Sequence, residues 1–264
     1  MRADQLLVER GLAASRSQAV RLIAGGLRWR DAGTSDAWRS VAKNKDDVPE
    51  SAELELVDAA EARYVSRGGL KLEGALAVSG VDPSGKLCLD VGQSTGGFTD
   101  CLLQRGAVKV VGVDVGHGQL HAKLREDERV VAIEGVNARA LSADDLQEEG
   151  EEPSDLRFDL IVGDLSFISL TLVLPAVVEF LADDGRLLML VKPQFELQPG
   201  QVGKGGIVRD ESMYAVVEKR LHDACEALGL RVLQWFDSPI AGGDGNREFF
   251  IHAVRAVQDA NDGS

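Results

Sequence analysis

KLCLDVGQSTGGFTD, residues 86–100, reads as a strand, a glycine turn and the start of a helix. Apolar Leu87, Leu89 and Val91 form a short strand ending in Asp90-Val91-Gly92. A loop through Ser94, Thr95, Gly96 and Gly97 then enters an apolar-periodic run of Phe98, Leu102 and Leu103. Glycines at such a turn let a ligand approach the backbone, which a Cβ would block, and a helix start offers free N–H groups. The spacing is not that of the dinucleotide fingerprint G-x-G-x-x-G, whose pyrophosphate rests on the helix N-terminus. Asp90 and the wide gap from Gly92 to Gly96 suit a ligand with a cationic amino-acid end and no phosphate. S-adenosylmethionine meets that description.

Downstream the chain alternates strands and helices. Strands are predicted at 108–115, 130–133, 158–163, 186–191, 231–236 and 248–254, with a helix over 211–228. This alternation predicts a parallel, doubly wound α/β sheet, and the turn Gly242-Gly243-Asp244-Gly245-Asn246 suits an antiparallel return of the last strand. Ligands of such sheets bind outside the carboxyl ends of the strands. Asp90, Asp114, Asp164 and Lys192 all fall where a strand gives way to loop, and Asn137 follows the strand at 130–133. An acidic residue ending the second strand, here Asp114, ordinarily hydrogen-bonds a ribose diol.

Composition sets limits. The chain has 264 residues, 44% of them hydrophobic, enough for a sizeable core in one or two domains. No apolar run approaches the ~18–20 residues that span a bilayer, and the N-terminus MRADQLLVERG lacks an apolar signal segment. Cys88, Cys101 and Cys225 are few and far apart, which argues against a disulfide framework or a structural zinc site. A soluble cytoplasmic protein is expected. The net charge of −14 is unevenly spread: residues 1–45 hold nine Lys/Arg against four Asp/Glu, the remainder twenty against thirty-nine. A basic module joined to an acidic body follows.

That basic module, residues 1–60, predicts two short helices broken at Gly11 and Gly25-Gly26, a strand opening at Gly26-Leu27-Arg28-Trp29-Arg30, and an edge strand at 52–57. Ser15 or Ser17 is placed to cap the second helix. The pattern DQLLVERGLAASRSQAVRLIAGGLRWRD resembles the S4 RNA-binding domain, through its serine, arginine and glycine positions. The resemblance makes Arg2, Arg16, Arg21, Arg28 and Arg30 candidate phosphate contacts. A short linker at 61–65 follows, then a second domain over 66–256 and a disordered tail at 257–264. That second domain opens with Arg67-Gly68-Gly69-Leu70-Lys71, whose lysine stands in a first helical turn, against the macrodipole.

Lys71, Asp164, Lys192 and Glu248 together resemble the Lys–Asp–Lys–Glu tetrad of FtsJ-type RNA ribose 2′-O-methyltransferases. The blocks RGGLK (67–71), DVGQSTGGF (90–98), DLSFIS (164–169), LVKPQFE (190–196) and NREFF (246–250) occur in the order of the TlyA, or hemolysin A, family, which joins an S4 domain to such a methyltransferase. The resemblance covers roughly residues 2–255. It implies an N-terminal S4-like α+β domain followed by a Rossmann-like seven-stranded class I methyltransferase domain. It also implies S-adenosylmethionine bound by Asp90, Gly92, Ser94, Thr95, Gly96, Gly97, Phe98, Asp114, Asn137 and Asp164, with no metal needed. Lys192 would orient the ribose hydroxyl, Asp164 would position that ammonium, and Lys71 and Glu248 would set the surrounding field. Arg67, Lys204 and Arg209 join the RNA-binding candidates. The implied partners are ribosomal RNA or ribosomal subunits, with cytidine riboses as targets. The short N-terminus leans toward the large subunit, with the small subunit as an additional target in some family members. Competing expectations are a membrane-active hemolysin, which the family label suggests, and an S4-tethered RNA-binding factor without catalysis.

Other features carry less. His117 and His121 have the i, i+4 spacing of zinc ligands but lack a third ligand nearby. Glu196 follows the lysine loop and suits a structural role or a substrate contact. The glycine-rich segment 199–210, PGQVGKGGIVRD, is no P-loop and reads as a mobile loop that could close over RNA. The acidic run 144–155 reads as solvated surface.

Overall fold

A computed structural model describes residues 1–57, 63–146 and 156–256. Residues 61–62 of the predicted linker, 147–155 of the acidic run and the tail at 257–264 lie outside the described residues. The chain divides into two compact units, Met1–Leu70 and Lys71–Ser264.

The first unit is a small α+β body. Helix α1 spans Ala3–Glu9 and α2 spans Arg16–Ala24, the latter capped by Ser15, whose side chain accepts from the Gln18 N–H at 3.2 Å. Strands β1 (Leu27–Arg30), β2 (Arg39–Val41) and β3 (Glu53–Leu56) form an antiparallel sheet in the order β2-β1-β3. Leu6, Leu7, Ala19, Leu22, Ile23, Leu27 and Val41 build its core. The sequence predicted both helices, β1 and the edge strand β3. It did not reveal β2, three residues of which only Val41 is buried, too short to show an alternating pattern.

In the second unit, α3 (Gly68–Ser79, entered from the first unit) precedes a sheet of seven strands: β4 (Leu87–Val91), β5 (Lys109–Asp114), β6 (Val130–Glu134), β7 (Phe158–Gly163), β8 (Leu181–Val191), β9 (Leu230–Asp237) and β10 (Phe249–Arg255). Their order is β6-β5-β4-β7-β8-β10-β9, with β10 alone running antiparallel to its neighbours. Helices α4 (Gly97–Gln104), α5 (Ala122–Arg125), α6 (Leu170–Val178), α7 (Pro193–Glu196) and α8 (Ser212–Ala227) connect them. The central strands read as near-continuous apolar runs because helices cover both faces. Strand β8 starts five residues before its predicted start. Exposed Asp183 and Asp184 bulge there, and the register against β7 slips between Phe158 and Leu160.

Two features of this topology place the site. The strand order reverses between β4 and β7, which opens the crevice where ligands of such sheets bind. Register then aligns the strand ends: Val91 pairs with Val113 and Gly163, and Gly163 with Met189. Asp90, Asp114, Asp164 and Lys192 therefore share one edge. Because β10 is antiparallel, it begins where its neighbours end, and its pairing of Phe249 with Val191 sets Glu248 beside Lys192.

Candidate active site

The Asp90 carboxylate is fully buried at the end of β4, facing the first turn of α4. Its Oδ2 accepts from Thr99 Oγ1 at 2.7 Å, and Thr99 Oγ1 in turn accepts from Gln93 Nε2 at 2.9 Å. Oδ1 has no hydrogen-bond partner. Burial, reinforced by the nearby carboxylates Asp164 and Asp114, pushes the Asp90 pKa up to about 7 against the pull of Thr99. A buried acceptor left open is costly unless something arrives to fill it. The ammonium of an amino-acid end does that. Nothing in the sequence marks Gln93 or Thr99, which build this arrangement; only their position in the fold does.

Gly92 follows with φ +84°, and a Cβ there would meet the Asp164 carbonyl oxygen at 2.7 Å. Gly96, the N-cap of α4, has φ +92°, and a Cβ would strike Leu124 and Leu120. Both positions require glycine. Gly92→Ala is expected to lower stability by about 1–3 kcal/mol, read as a drop in thermal midpoint, because backbone strain and the clash add.

Asp114 is held by two backbone N–H groups, Ser94 to Oδ2 and Gly116 to Oδ1, both at 2.7 Å. Each oxygen keeps a lone pair, so the carboxylate is pre-set to take two hydroxyl donors. Ser94 makes its bond from a left-handed backbone, φ +49°. The orphaned Asp90 oxygen, the glycine cradle and this oriented carboxylate together fit S-adenosylmethionine. Two other candidates are placed differently. Asn137 Oδ1 accepts from the Arg139 N–H and caps a short helical turn. Phe98 points inward, stacked on Phe250 with ring centroids 6.3 Å apart.

The tetrad assembles as two ion pairs. Lys192 Nζ lies 2.5 Å from Asp164 Oδ1 and donates to Ser166 Oγ at 2.8 Å. Lys71 Nζ lies 2.6 Å from Glu248 Oε2, both side chains over nine-tenths buried. Lys71 reaches Glu248 because Gly74, one turn on in α3, seats flush against Pro239; a Cβ there would sit 2.5 Å from that ring. The carboxylate removes the expected misfit of a lysine in a first helical turn. Burial raises the Glu248 pKa, opposed by Lys71 and then Lys192, while Asp164 adds to the rise. All four groups thus lie in one another's field. Ser166 is the further polar group here, inside the DLSFIS block, and only its contact with Lys192 marks it.

Phe167, next in the chain, is 90% exposed and adopts φ +64°. A left-handed backbone at a bulky residue costs roughly 1–3 kcal/mol and persists only where its surroundings enforce it. Its ring meets Phe195 at 5.0 Å between centroids.

The cysteines are buried, and burial pushes Cys88 up to about 12 and Cys225 to about 11, which suppresses the nucleophilic thiolate. His121 Nδ1 accepts from the Lys123 N–H and caps α5. In the glycine-rich segment, Lys204 and Arg209 are exposed, and Asn246 ties the segment down, accepting from the Val208 N–H at 3.0 Å and donating to the Gly206 carbonyl at 2.9 Å. Among the described residues no helix is long and apolar enough to cross a membrane.

In the first unit, Asp4 is buried and accepts from Arg2 in a bidentate pair at 3.0 and 2.9 Å and from Arg16 at 3.2 Å. Arg2, followed by Arg16, holds its pKa below the usual carboxylate range despite burial. The arginine side chains stay 42% and 58% exposed, so Asp4 fixes two guanidinium groups whose outer donors face solvent. Arg28 is exposed, and Arg21 donates to the Ser17 carbonyl. Arg30 is engaged by Glu53 at 2.6 Å and by the Trp38 ring. Arg67 lies at intermediate exposure just before α3.

A 16S/23S rRNA (cytidine-2′-O)-methyltransferase TlyA of Mycobacterium tuberculosis is 43% identical over 250 residues, 95% of this chain and 88% of that one. A protein named Hemolysin A from Brachyspira hyodysenteriae is 38% identical over 257 residues, 96% of this chain and all of its own length. A solved structure from Streptococcus thermophilus, carrying a provisional hemolysin label, superposes with a TM-score of 0.73 at 39% identity, covering 97% of this chain and 89% of that one. The profile of the FtsJ-like methyltransferases matches residues 64–255, the stretch that holds the switch-point carboxylates and all four tetrad residues. The chain belongs to the FtsJ-like methyltransferase family.

Proposed function

We propose that the protein methylates a cytidine ribose 2′-oxygen in ribosomal RNA, with S-adenosylmethionine as methyl donor and large-subunit RNA as the first substrate to test. One observation carries the reading: Lys192 Nζ, held between Asp164 and Ser166, stands at the same sheet edge as the open Asp90 oxygen and the oriented Asp114. The donor supplies a methyl group already activated on sulfonium. The protein's task is then to align a weakly nucleophilic hydroxyl and stabilise charge as its proton leaves. Lys192 orients the hydroxyl and meets the developing negative charge, Asp164 holds that ammonium in place, and the buried Lys71–Glu248 pair keeps the surroundings polar and dry. The M. tuberculosis relative is named for this reaction, on cytidines of both rRNAs.

The first unit is assigned to RNA holding, as an S4-type domain, through Arg2 and Arg16 on Asp4 together with Arg21 and Arg28. An rRNA substrate places the work in the cytoplasm. Exposed Phe167, one residue from Ser166, is a stacking face for the target base. Phe167→Ala is expected to raise the RNA KM by about 5- to 100-fold, the range of one base–aromatic stack. An unchanged KM would remove that face from the substrate path.

The test uses tritiated S-adenosylmethionine with separated ribosomal subunits. Label that survives base release and protects the adjacent phosphodiester from alkali marks a ribose 2′-oxygen. Label on a base or on ribosomal protein would overturn the reading.

A further inference from the structure

Lys192 is the residue just before α7, and Glu196 ends that single turn. Four residues apart, both reach the same partner segment, residues 164–170, at opposite ends. Lys192 takes Asp164 and Ser166. Glu196, buried, accepts from Ser169 Oγ at 2.5 Å and from the Leu170 N–H at 2.7 Å, at the first turn of α6. Ser169 is also the side-chain cap of α6, accepting from the Thr171 N–H. The carbonyl of Glu196 is in turn gripped by Arg220 of α8. Between the two attachment points lies Phe167 on its left-handed backbone. A strained conformation of this kind survives only where both flanks are pinned.

We propose that Glu196 is a positioning residue for methyl transfer: its carboxylate anchors the far end of the 164–170 segment, so that Asp164 and Ser166 stay in register with Lys192 and Phe167 stays turned outward. The proposal rests on the methyl-transfer reading of the site. Glu196 touches neither substrate nor donor and acts through the segment it holds. Burial raises its pKa, opposed by the Ser169 and Leu170 hydrogen bonds, consistent with a group held for its acceptor geometry. Gln preserves that geometry, with one oxygen for the Leu170 N–H and an amide that can donate to Ser169.

The experiment compares wild type, Glu196→Ala, Glu196→Gln, Ser169→Ala and Lys192→Ala under single turnover, with tritiated S-adenosylmethionine and ribosomal subunits from cells lacking the enzyme. Cofactor affinity is measured in parallel by calorimetry. Glu196→Ala is expected to lose about 10- to 100-fold in the transfer rate, the cost of misplacing reacting groups by an ångström or less. Cofactor affinity should stay at the wild-type value, and Glu196→Gln should recover most of the rate. A residue that served folding alone would lower the active fraction without this split between rate and affinity. A Glu196→Ala rate at wild-type level, or a Gln variant no better than Ala, overturns the proposal. If Glu196→Ala does not fold, Ser169→Ala decides: a rate loss with unchanged cofactor affinity supports the clamp, and a wild-type rate overturns it. Wild type that binds cofactor yet labels no RNA brings down the methyl-transfer reading, and the clamp with it.

Discussion

Lys192→Ala is expected to reduce methyl transfer by about 10²- to 10³-fold, the scale of removing one preorganised donor to a developing oxyanion. Cofactor affinity should remain at the wild-type level, because the groups that fit the donor, Asp90 and Asp114, lie on β4 and β5 and make no hydrogen bond to Lys192. Removing the ammonium also strips Asp164 of its ion pair, so the variant leaves a carboxylate where the hydroxyl should sit. Lys192→Arg should rescue little: a planar guanidinium cannot present a point charge to Asp164 and Ser166 in the same geometry. Rates come from tritium transfer under saturating cofactor, and affinities from calorimetry. Full turnover in Lys192→Ala would sink the assigned mechanism.

Asp90→Asn should weaken cofactor binding by at least about tenfold, since the charge-assisted bond to the ammonium is lost along with the charge. A carboxamide has one acceptor oxygen, so if that oxygen keeps the bond from Thr99 the open position becomes an NH2 donor facing the ammonium. The pH dependence makes the test sharper. With its pKa pushed up to about 7, Asp90 is protonated in the free protein at lower pH. An ammonium partner favours the ionised form, so wild-type affinity should climb as pH rises from 5.5 toward 7 and then level off, approaching tenfold per unit on the rising limb. Stability of the free protein runs the other way. A carboxylate whose folded pKa is raised makes the fold lose stability as pH rises above the ordinary carboxylate value, the loss being complete above about 7. In Asp90→Asn both slopes should flatten. A wild-type affinity indifferent to pH across this window would remove Asp90 from the cofactor's ammonium.

The sheet was legible because its chemistry is local and repetitive. LCLDV, KVVGVD and FDLIVG are buried on both faces, so each shows as an apolar run bounded by glycine or a charge. The residues just past those runs were legible for the same reason: a strand end in a parallel sheet is a place where polar side chains gather. The turn at 242–246 announced the antiparallel return, and that return is what carries Glu248 to Lys192. In the first unit, Ser15 and the paired glycines marked the helix ends through their backbone preferences alone.

What a side chain meets across the fold was not legible. Phe98 belongs to the apolar run of α4, and its stacking on Phe250, 152 residues away, cannot be read from that run. Arg2 and Arg16 are two of five candidate phosphate contacts in the sequence, and nothing there shows that buried Asp4 holds both. Thr99 and Ser166 owe their importance to partners on other elements, and for Glu196 the sequence leaves a structural role and a substrate contact both open until its partners are seen. By itself, then, the sequence determined the strands, their ends and the charged groups at those ends, since periodicity and backbone preference act over a few residues. Tertiary structure alone decided which of those charges pair, which aromatic faces solvent and which acceptor stays open, because those outcomes depend on register between strands and loops far apart in the chain.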